Sequence, residues 1–425
     1  MKYPALILLL LLSYQVNAQF GKYFRNKTCR IDYFHSGDAK EEYYETDMIF
    51  MQPKWHGPKD NLIDPFGYGS YKFEIYDSVT GKLIYSKGYS SLFHEYRTTE
   101  EAKTQWGRYP ESITFPFPKN TVKIEFHSRE KDLVWHKKHT LFFNPDDKDS
   151  YEKTRKRDLP YDNFKVHRSG NPKKRLDIVF LPEGYTEDQM IKFRNDCGRF
   201  AQYLLAASPY DDHLDDINIW GVLAPSEEEG TDLPGDSVWK ETVLNSNFYT
   251  FGSERYLTTD DYHSVMDAAA CAPADAIVIL VNHKKYGGGG IFNFYCVATV
   301  DDNSSDFLLI HEFGHSFAGL GDEYYTSDVA YQDFYNLDVE PWEPNITTLV
   351  DFETKWKDML PEGLPIPTPA NEEYEGKVGV FEGGGYVAKG VYRPYLNCTM
   401  KDVIYDNFCP VCNRAIEKMI GYYSR

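Results

Sequence analysis

The sequence predicts an all-β sandwich followed by a larger α/β domain, and three observations carry that prediction. Runs of alternating polarity broken by turn residues fill the chain to about residue 150, continuous apolar strands alternate with amphipathic helices beyond residue 165, and a charge-rich stretch at 146–157 lies between them. The expected organisation is a leader at 1–18, a β-sandwich at 19–150, a linker at 151–164 and an α/β domain at 165–425. With 425 residues, each of the two large parts is long enough to bury its own core. A composition of 42 % hydrophobic and 16 % aromatic residues is that of a folded chain. The formal net charge of −19 argues against nucleic acid as a main partner, because phosphate contacts need clustered Lys and Arg.

The leader reads as an export signal. Lys2 supplies the charged start, residues 5–12 the apolar run, and Val16-Asn17-Ala18 a small-x-small cleavage site. The mature chain then begins at Gln19 and is secreted, periplasmic or held at the cell surface. The apolar run is far shorter than the roughly twenty residues of a membrane span, so no membrane span is expected.

In the N-terminal part, strands are expected at 29–34, 71–76, 82–87, 112–117, 121–127 and 139–143, with Ser78-Val-Thr-Gly81 as a hairpin connection. Phe73 and Ile75 alternate with Lys72 and Glu74, the pattern of a half-buried strand. The histidines here have no ligand spacing and read as core or surface residues.

The α/β part opens with an apolar strand at 176–181. Thr186 and Gln189 then form a capping box for a helix that carries Met190, Phe193, Cys197, Phe200 and Leu204 on one face. A helix near 260–270 and strands at 276–281 and 292–300 follow. Gly287-Gly-Gly-Gly290 lacks the GK[ST] of a phosphate loop and reads as a mobile loop near a cleft.

Seven cysteines are too few for a disulfide-built scaffold, and three of them, Cys398, Cys409 and Cys412, crowd the C-terminus. After export, one disulfide pinning a late loop is the expected use of that trio. No βαβ pattern precedes Cys409-Pro-Val-Cys412 to support a thioredoxin-like role. No second Cys/His pair at similar spacing completes a zinc knuckle.

The most informative segment is Phe307-Leu-Leu-Ile-His-Glu-Phe-Gly-His-Ser-Phe-Ala-Gly-Leu-Gly-Asp-Glu-Tyr324. His311 and His315, four apart on a helix, project from one face and can share a Zn²⁺. Glu312 lies beside such an ion, where a carboxylate can take a proton from the water it activates. Gly319 and Gly321 can end the helix and reverse the chain, which brings Asp322 and Glu323 back toward the histidines. A catalytic zinc takes three protein ligands, and an acid past that turn can be the third.

This segment resembles the metzincins, whose pattern is HExxHxxGxxH/D with a later methionine turn. It departs by one residue: Ala318 and Gly321 occupy the usual glycine and third-ligand positions, and Gly319 and Asp322 follow one place later. The shifted form is similar to peptidase family M64, the IgA-peptidase or igalysin group. Tyr392-Arg-Pro-Tyr-Leu-Asn-Cys-Thr-Met400 and Leu176-Asp-Ile-Val-Phe-Leu-Pro-Glu-Gly-Tyr185 fit the same family over about residues 165–425, and the β-rich part resembles the domain that often precedes it. The resemblance implies a metzincin-like zinc metallopeptidase domain, with zinc on His311, His315 and Asp322, Glu312 as general base, and Met400 as the methionine-turn residue. The shift leaves Glu323 as the alternative third ligand. A tyrosine often holds the oxyanion in metzincins, and Tyr324, Tyr395 and Tyr405 are candidates here.

The expected function is therefore an exported zinc-dependent endopeptidase acting on extracellular or periplasmic proteins. The family's name points to immunoglobulin or another host glycoprotein, but nothing in the residues selects a substrate. Two other readings remain. One is a different zinc clan with Glu340 or Glu343 as third ligand. The other is an inactive exported module that binds glycan or protein and keeps a vestigial metal site.

Overall fold

The computed structural model describes residues 19–155, 158–325, 335–405 and 407–424. The leader, including Val16-Asn17-Ala18, lies outside them. Among the described residues, no helix is long and apolar enough to cross a membrane.

The N-terminal region is β-rich. Its strands are β1 (Phe24–Gly37), β2 (Glu42–Gln52), β3 (Tyr71–Asp77), β4 (Leu83–Tyr89), β5 (Gly107–Pro118), β6 (Val122–Arg129), β7 (Trp135–Phe143) and β8 (Glu152–Lys153). They form two four-stranded sheets, β5-β1-β2-β8 and β4-β3-β6-β7. Ile31 and Phe115 from the first sheet and Phe73, Ile75 and Ile124 from the second belong to one buried aromatic-rich core. The short helix α1 (Leu92–Tyr96) adds Phe93 to it. All six expected strands are present, each running one to several residues longer. The connection after β3 turns at Gly81, which takes φ +68° and donates to the Asp77 carbonyl at 2.8 Å. Within the charged stretch, Tyr151 is buried against Phe117 and Phe143, and Glu152–Lys153 pairs with β2.

The second region is mixed α/β. It contains β9 (Asn163–Arg168), β10 (Leu176–Glu183), helix α2 (Met190–Ala206), β11 (Ile217–Val222), the two-residue strands β12 (Ser246–Asn247) and β13 (Thr258–Thr259), and helix α3 (Tyr262–Ala269). Then follow β14 (Ala276–Val281), β15 (Gly288–Ile291), β16 (Tyr295–Thr299), helix α4 (Ser305–Ala318), β17 (Phe381–Gly384), β18 (Val387–Arg393) and helix α5 (Pro410–Tyr423). One six-stranded sheet runs β15-β16-β14-β10-β11-β9, with its four inner strands parallel and both edges antiparallel. Strand alternation divides β10 between two cores: Ile178 and Phe180 face the core that holds α2, α4 and α5, while Val179 and Leu181 face the one that holds α3. With both faces covered, every residue of β10 is buried. The capping box of Thr186 and Gln189 forms as expected and opens a 3₁₀ turn that runs into α2.

The glycine run is an element of the sheet and not a mobile loop. Gly288–Ile291 forms the edge strand β15, paired with β16 and lying flat on α4. A Cβ at Gly290 would stand 2.1 Å from the Glu312 carbonyl oxygen, so only glycine lets the strand approach the helix backbone this closely.

The two regions touch directly. Ser90 N–H donates to the Phe292 carbonyl at 2.8 Å, Asn293 Nδ2 to the Gly88 carbonyl at 2.8 Å, and Arg30 bridges Asp32 of β1 to Asp267 of α3.

Candidate metal centre

Helix α4 carries the first site residues. Leu308, Leu309, Ile310 and Phe313 sink one face into the core, which fixes the rotation of the helix and turns His311 and His315 toward the same side. The helix stops at Gly319, in the left-handed conformation at φ +64°, with its N–H on the His315 carbonyl. The chain then reverses through Gly321. Asn345 clamps that turn, accepting from Gly321 N–H and donating to the Gly321 carbonyl, both at 2.8 Å.

The reversal delivers Asp322 to the histidines. His311 Nε2 and His315 Nε2 are 3.2 Å apart, and Asp322 Oδ1 lies 3.2 and 3.3 Å from them. Each outer ring nitrogen meets a carbonyl: His311 Nδ1 donates to Thr399 O at 3.0 Å and His315 Nδ1 to Leu320 O at 2.6 Å. A carbonyl only accepts, so the proton of each neutral ring sits on Nδ1 and both Nε2 lone pairs point inward. Asp322 accepts from the Tyr386 hydroxyl on Oδ2, while its buried Oδ1 makes no hydrogen bond. Three acceptor atoms thus converge on one another, an arrangement that a cation satisfies.

A proton and a cation compete for these inward-facing positions. Burial alone would raise the Asp322 pKa, but the two imidazoles outweigh it and hold the carboxyl well below its usual range. Burial opposes charge on His315, yet Asp322 and Glu312 carry it up to about 9. Glu312 follows His311 on the helix, and burial pushes its carboxyl upward. Tyr286 is also pushed up to about 12, by burial and by the charge of Glu312. The N-terminal region reaches this neighbourhood through Glu95 of α1. Burial raises it to about 7, Tyr256 donates to it at 2.6 Å, and it interacts with His315 and Glu312.

Met400 is completely buried beneath α4, its sulfur 3.0 Å from the position a Cβ would take on Gly314. Its carbonyl accepts from Glu323 N–H at 2.7 Å. Glu323 itself turns away from the histidines, toward Cys398, Cys409 and Cys412. Among the described residues, the group around His311 and His315 includes neither Glu340 nor Glu343. Glu340 accepts from Asp351 N–H, and the Glu343 backbone carbonyl from Lys355.

Of the tyrosine candidates, Tyr324 stacks edge-on against Tyr386, with ring centroids 5.2 Å apart. Tyr405 offers its carbonyl to Thr399, and Tyr395 stands by Gly376. Tyr386, which stands outside the three tyrosines the resemblance suggests, is marked in the sequence by its place in Glu382-Gly-Gly-Gly-Tyr386, a glycine-rich hairpin end. A cavity of about 510 Å³ lies elsewhere, between Trp55, Lys87 and Asp275, and includes neither His311 nor His315.

No curated protein matches the chain. The family model for the peptidase M64 N-terminus matches residues 19–140, and that for IgA peptidase M64 matches residues 164–375 and 370–420. The matches to the second model alone span more than half of the sequence and include His311, Glu312, His315, Asp322 and Met400, and on that basis the chain belongs to the IgA peptidase M64 family, a family of peptidases.

Proposed function

We propose that the protein is an exported zinc-dependent endopeptidase with a metzincin-like catalytic domain at about 165–425, preceded by a β-sandwich at 19–150. The observation that carries this reading is the convergence of His311 Nε2, His315 Nε2 and Asp322 Oδ1, with both imidazoles oriented by carbonyls behind them. Two imidazoles and one carboxylate form a donor set suited to catalytic zinc. Asp322 Oδ1, buried and without a hydrogen bond, fits that role. When bound, zinc supplies a Lewis acid and lowers the pKa of water toward 7.

The chain's own residues supply the remaining functions. Glu312 acts as general base, taking the proton from the attacking water and returning it to the leaving amine. Tyr386 holds Asp322 through Oδ2, which leaves Oδ1 for the ion. Met400 packs under the helix and keeps the histidine face level with the turn that carries Asp322. The substrate is a protein or peptide. An inactive binding module has no use for the paired histidines, the oriented ring nitrogens and the adjacent base together.

Metal analysis tests the ligand set. Asp322→Ala should lose the ion held by His311 and His315, and a variant that kept it would remove Asp322 from the ligands.

A further inference from the structure

From the clustering of Glu323, Cys398, Cys409 and Cys412, we infer a second, structural Zn²⁺ site beside the catalytic one, with three thiolates and one carboxylate as ligands. Their donor atoms all lie within 4.8 Å of one another, and the four residues are between 0 and 2 % exposed. Cys398 Sγ and Cys412 Sγ are 3.8 Å apart, and Cys412 Sγ is 3.2 Å from Glu323 Oε1. Tetrahedral zinc with Zn–S bonds of about 2.3 Å separates its sulfurs by about 3.8 Å. All seven cysteines are unbridged.

The surroundings are those of a bound ion. Glu323 Oε1 accepts from Asn345 Nδ2 at 3.0 Å, while the buried Oε2 makes no hydrogen bond. Arg393, whose charge Glu323 feels, spends its Nη1 on the Glu382 and Gly383 carbonyls. Cys409 N–H donates to Cys398 Sγ at 3.3 Å, an amide-to-sulfur bond of the kind that stabilises a metal thiolate. Cys409 caps helix α5 and Pro410 occupies its first turn, which presents Cys409 and Cys412 at the start of the helix. A disulfide would consume two sulfurs and leave the third thiol and Glu323 Oε2 buried without partners. Zinc takes all four groups as the thiol protons leave.

The site would tie three segments together at the catalytic centre. Glu323 follows Asp322, and Cys398 precedes Thr399, the carbonyl partner of His311, and Met400, the carbonyl partner of Glu323 N–H. These ligands position the catalytic set and do not touch substrate.

The catalytic ligands contain no sulfur, so sulfur–metal signals report this site alone. The test is metal content and X-ray absorption on the full mature chain, purified under reducing conditions, as wild type and as the His311→Ala/His315→Ala variant, with a parallel cobalt-substituted wild type. The expected result is two zinc per wild-type chain, one in the variant with sulfur neighbours at about 2.3 Å, and a thiolate-to-cobalt charge-transfer band. Wild-type protein with no sulfur around its metal, no charge-transfer band, or a disulfide within the trio by peptide mapping would overturn the inference. Sulfur-bound zinc alone, with nothing on the histidines, would uphold it while removing the proposed catalytic centre.

Discussion

Each half of the molecule buries a histidine among carboxylates, and the two clusters end differently. In the N-terminal region, His35 Nε2 meets Glu42 at 2.9 Å and Nδ1 meets Glu111 at 3.3 Å. Tyr33 and Ser91 donate to Glu111, while Ser128 donates to Glu42, with Arg97 and Lys138 as further partners. Both ring nitrogens and both carboxylates are partnered within the protein. In the α/β region, the outer nitrogens of His311 and His315 are likewise held, but the inner ones face each other and an Asp322 oxygen that has no hydrogen bond. The first cluster is closed and structural. The second is open toward a single point. Burial of histidine and acid is common to both, and the Asp322 oxygen without a hydrogen bond is what separates the second cluster from the first.

That contrast yields four ways to break it. The largest effects belong to the open cluster: His311→Ala should lose its metal and all hydrolysis, whereas Glu312→Gln should keep metal and reduce turnover by about 10²–10⁴-fold. Parallel metal analysis and peptide cleavage assays separate the two. In the closed cluster, Glu111→Ala strips Tyr33, Ser91 and His35 of a buried acceptor and should destabilise by about 3–5 kcal/mol without changing metal content. Denaturant unfolding checks it. Beneath the open cluster, Met400→Ala should cost about 2–5 kcal/mol and Met400→Leu less than about 1.5, since leucine refills the volume under Gly314.

The smallest effect is pH dependence in the closed cluster. Burial disfavours charge on His35, but Glu111 and Glu42 outweigh it and raise its pKa, so its stabilisation is full below the unfolded value of about 6.5 and fades as pH rises through the folded one. Burial raises the Glu42 pKa, but His35 outweighs it and lowers the carboxyl to about 2, so that contribution is present above about 4.5 and fades as pH falls toward 2. The melting-temperature difference between wild type and His35→Gln should therefore peak between about pH 4.5 and 6.5 and shrink on either side.

The sequence was most legible where side-chain spacing dictates geometry. The i, i+4 histidines, the glycine that ends α4 and the buried stripe of α2 follow from helical periodicity alone. Strand β2 was missed because Glu42, Glu45, Thr46 and Asp47 interrupt its apolar pattern; it lies next to the short edge strand β8, and much of it faces solvent. At Gly288–Ile291 the expectation of a mobile loop fails because glycines signal freedom in a sequence, while here they mark close contact with α4. The carbonyls of Thr399 and Leu320 leave no trace in residue identity. The expected disulfide gave way to free thiols around Glu323, a fourth partner more than seventy residues upstream that no local spacing could reveal. Asn345, one of four Asn-x-Ser/Thr strings, is fully buried and holds the Gly321 turn, so it is not a surface acceptor for glycan.

The central claim is that Glu312 drives peptide-bond hydrolysis at the His311, His315 and Asp322 centre. The most direct measurement is mass-spectrometric cleavage of a proteome-derived peptide library by wild-type and Glu312→Gln proteins matched for zinc content. Internal cleavage by wild type alone is the predicted result. Equal cleavage by both would contradict the account.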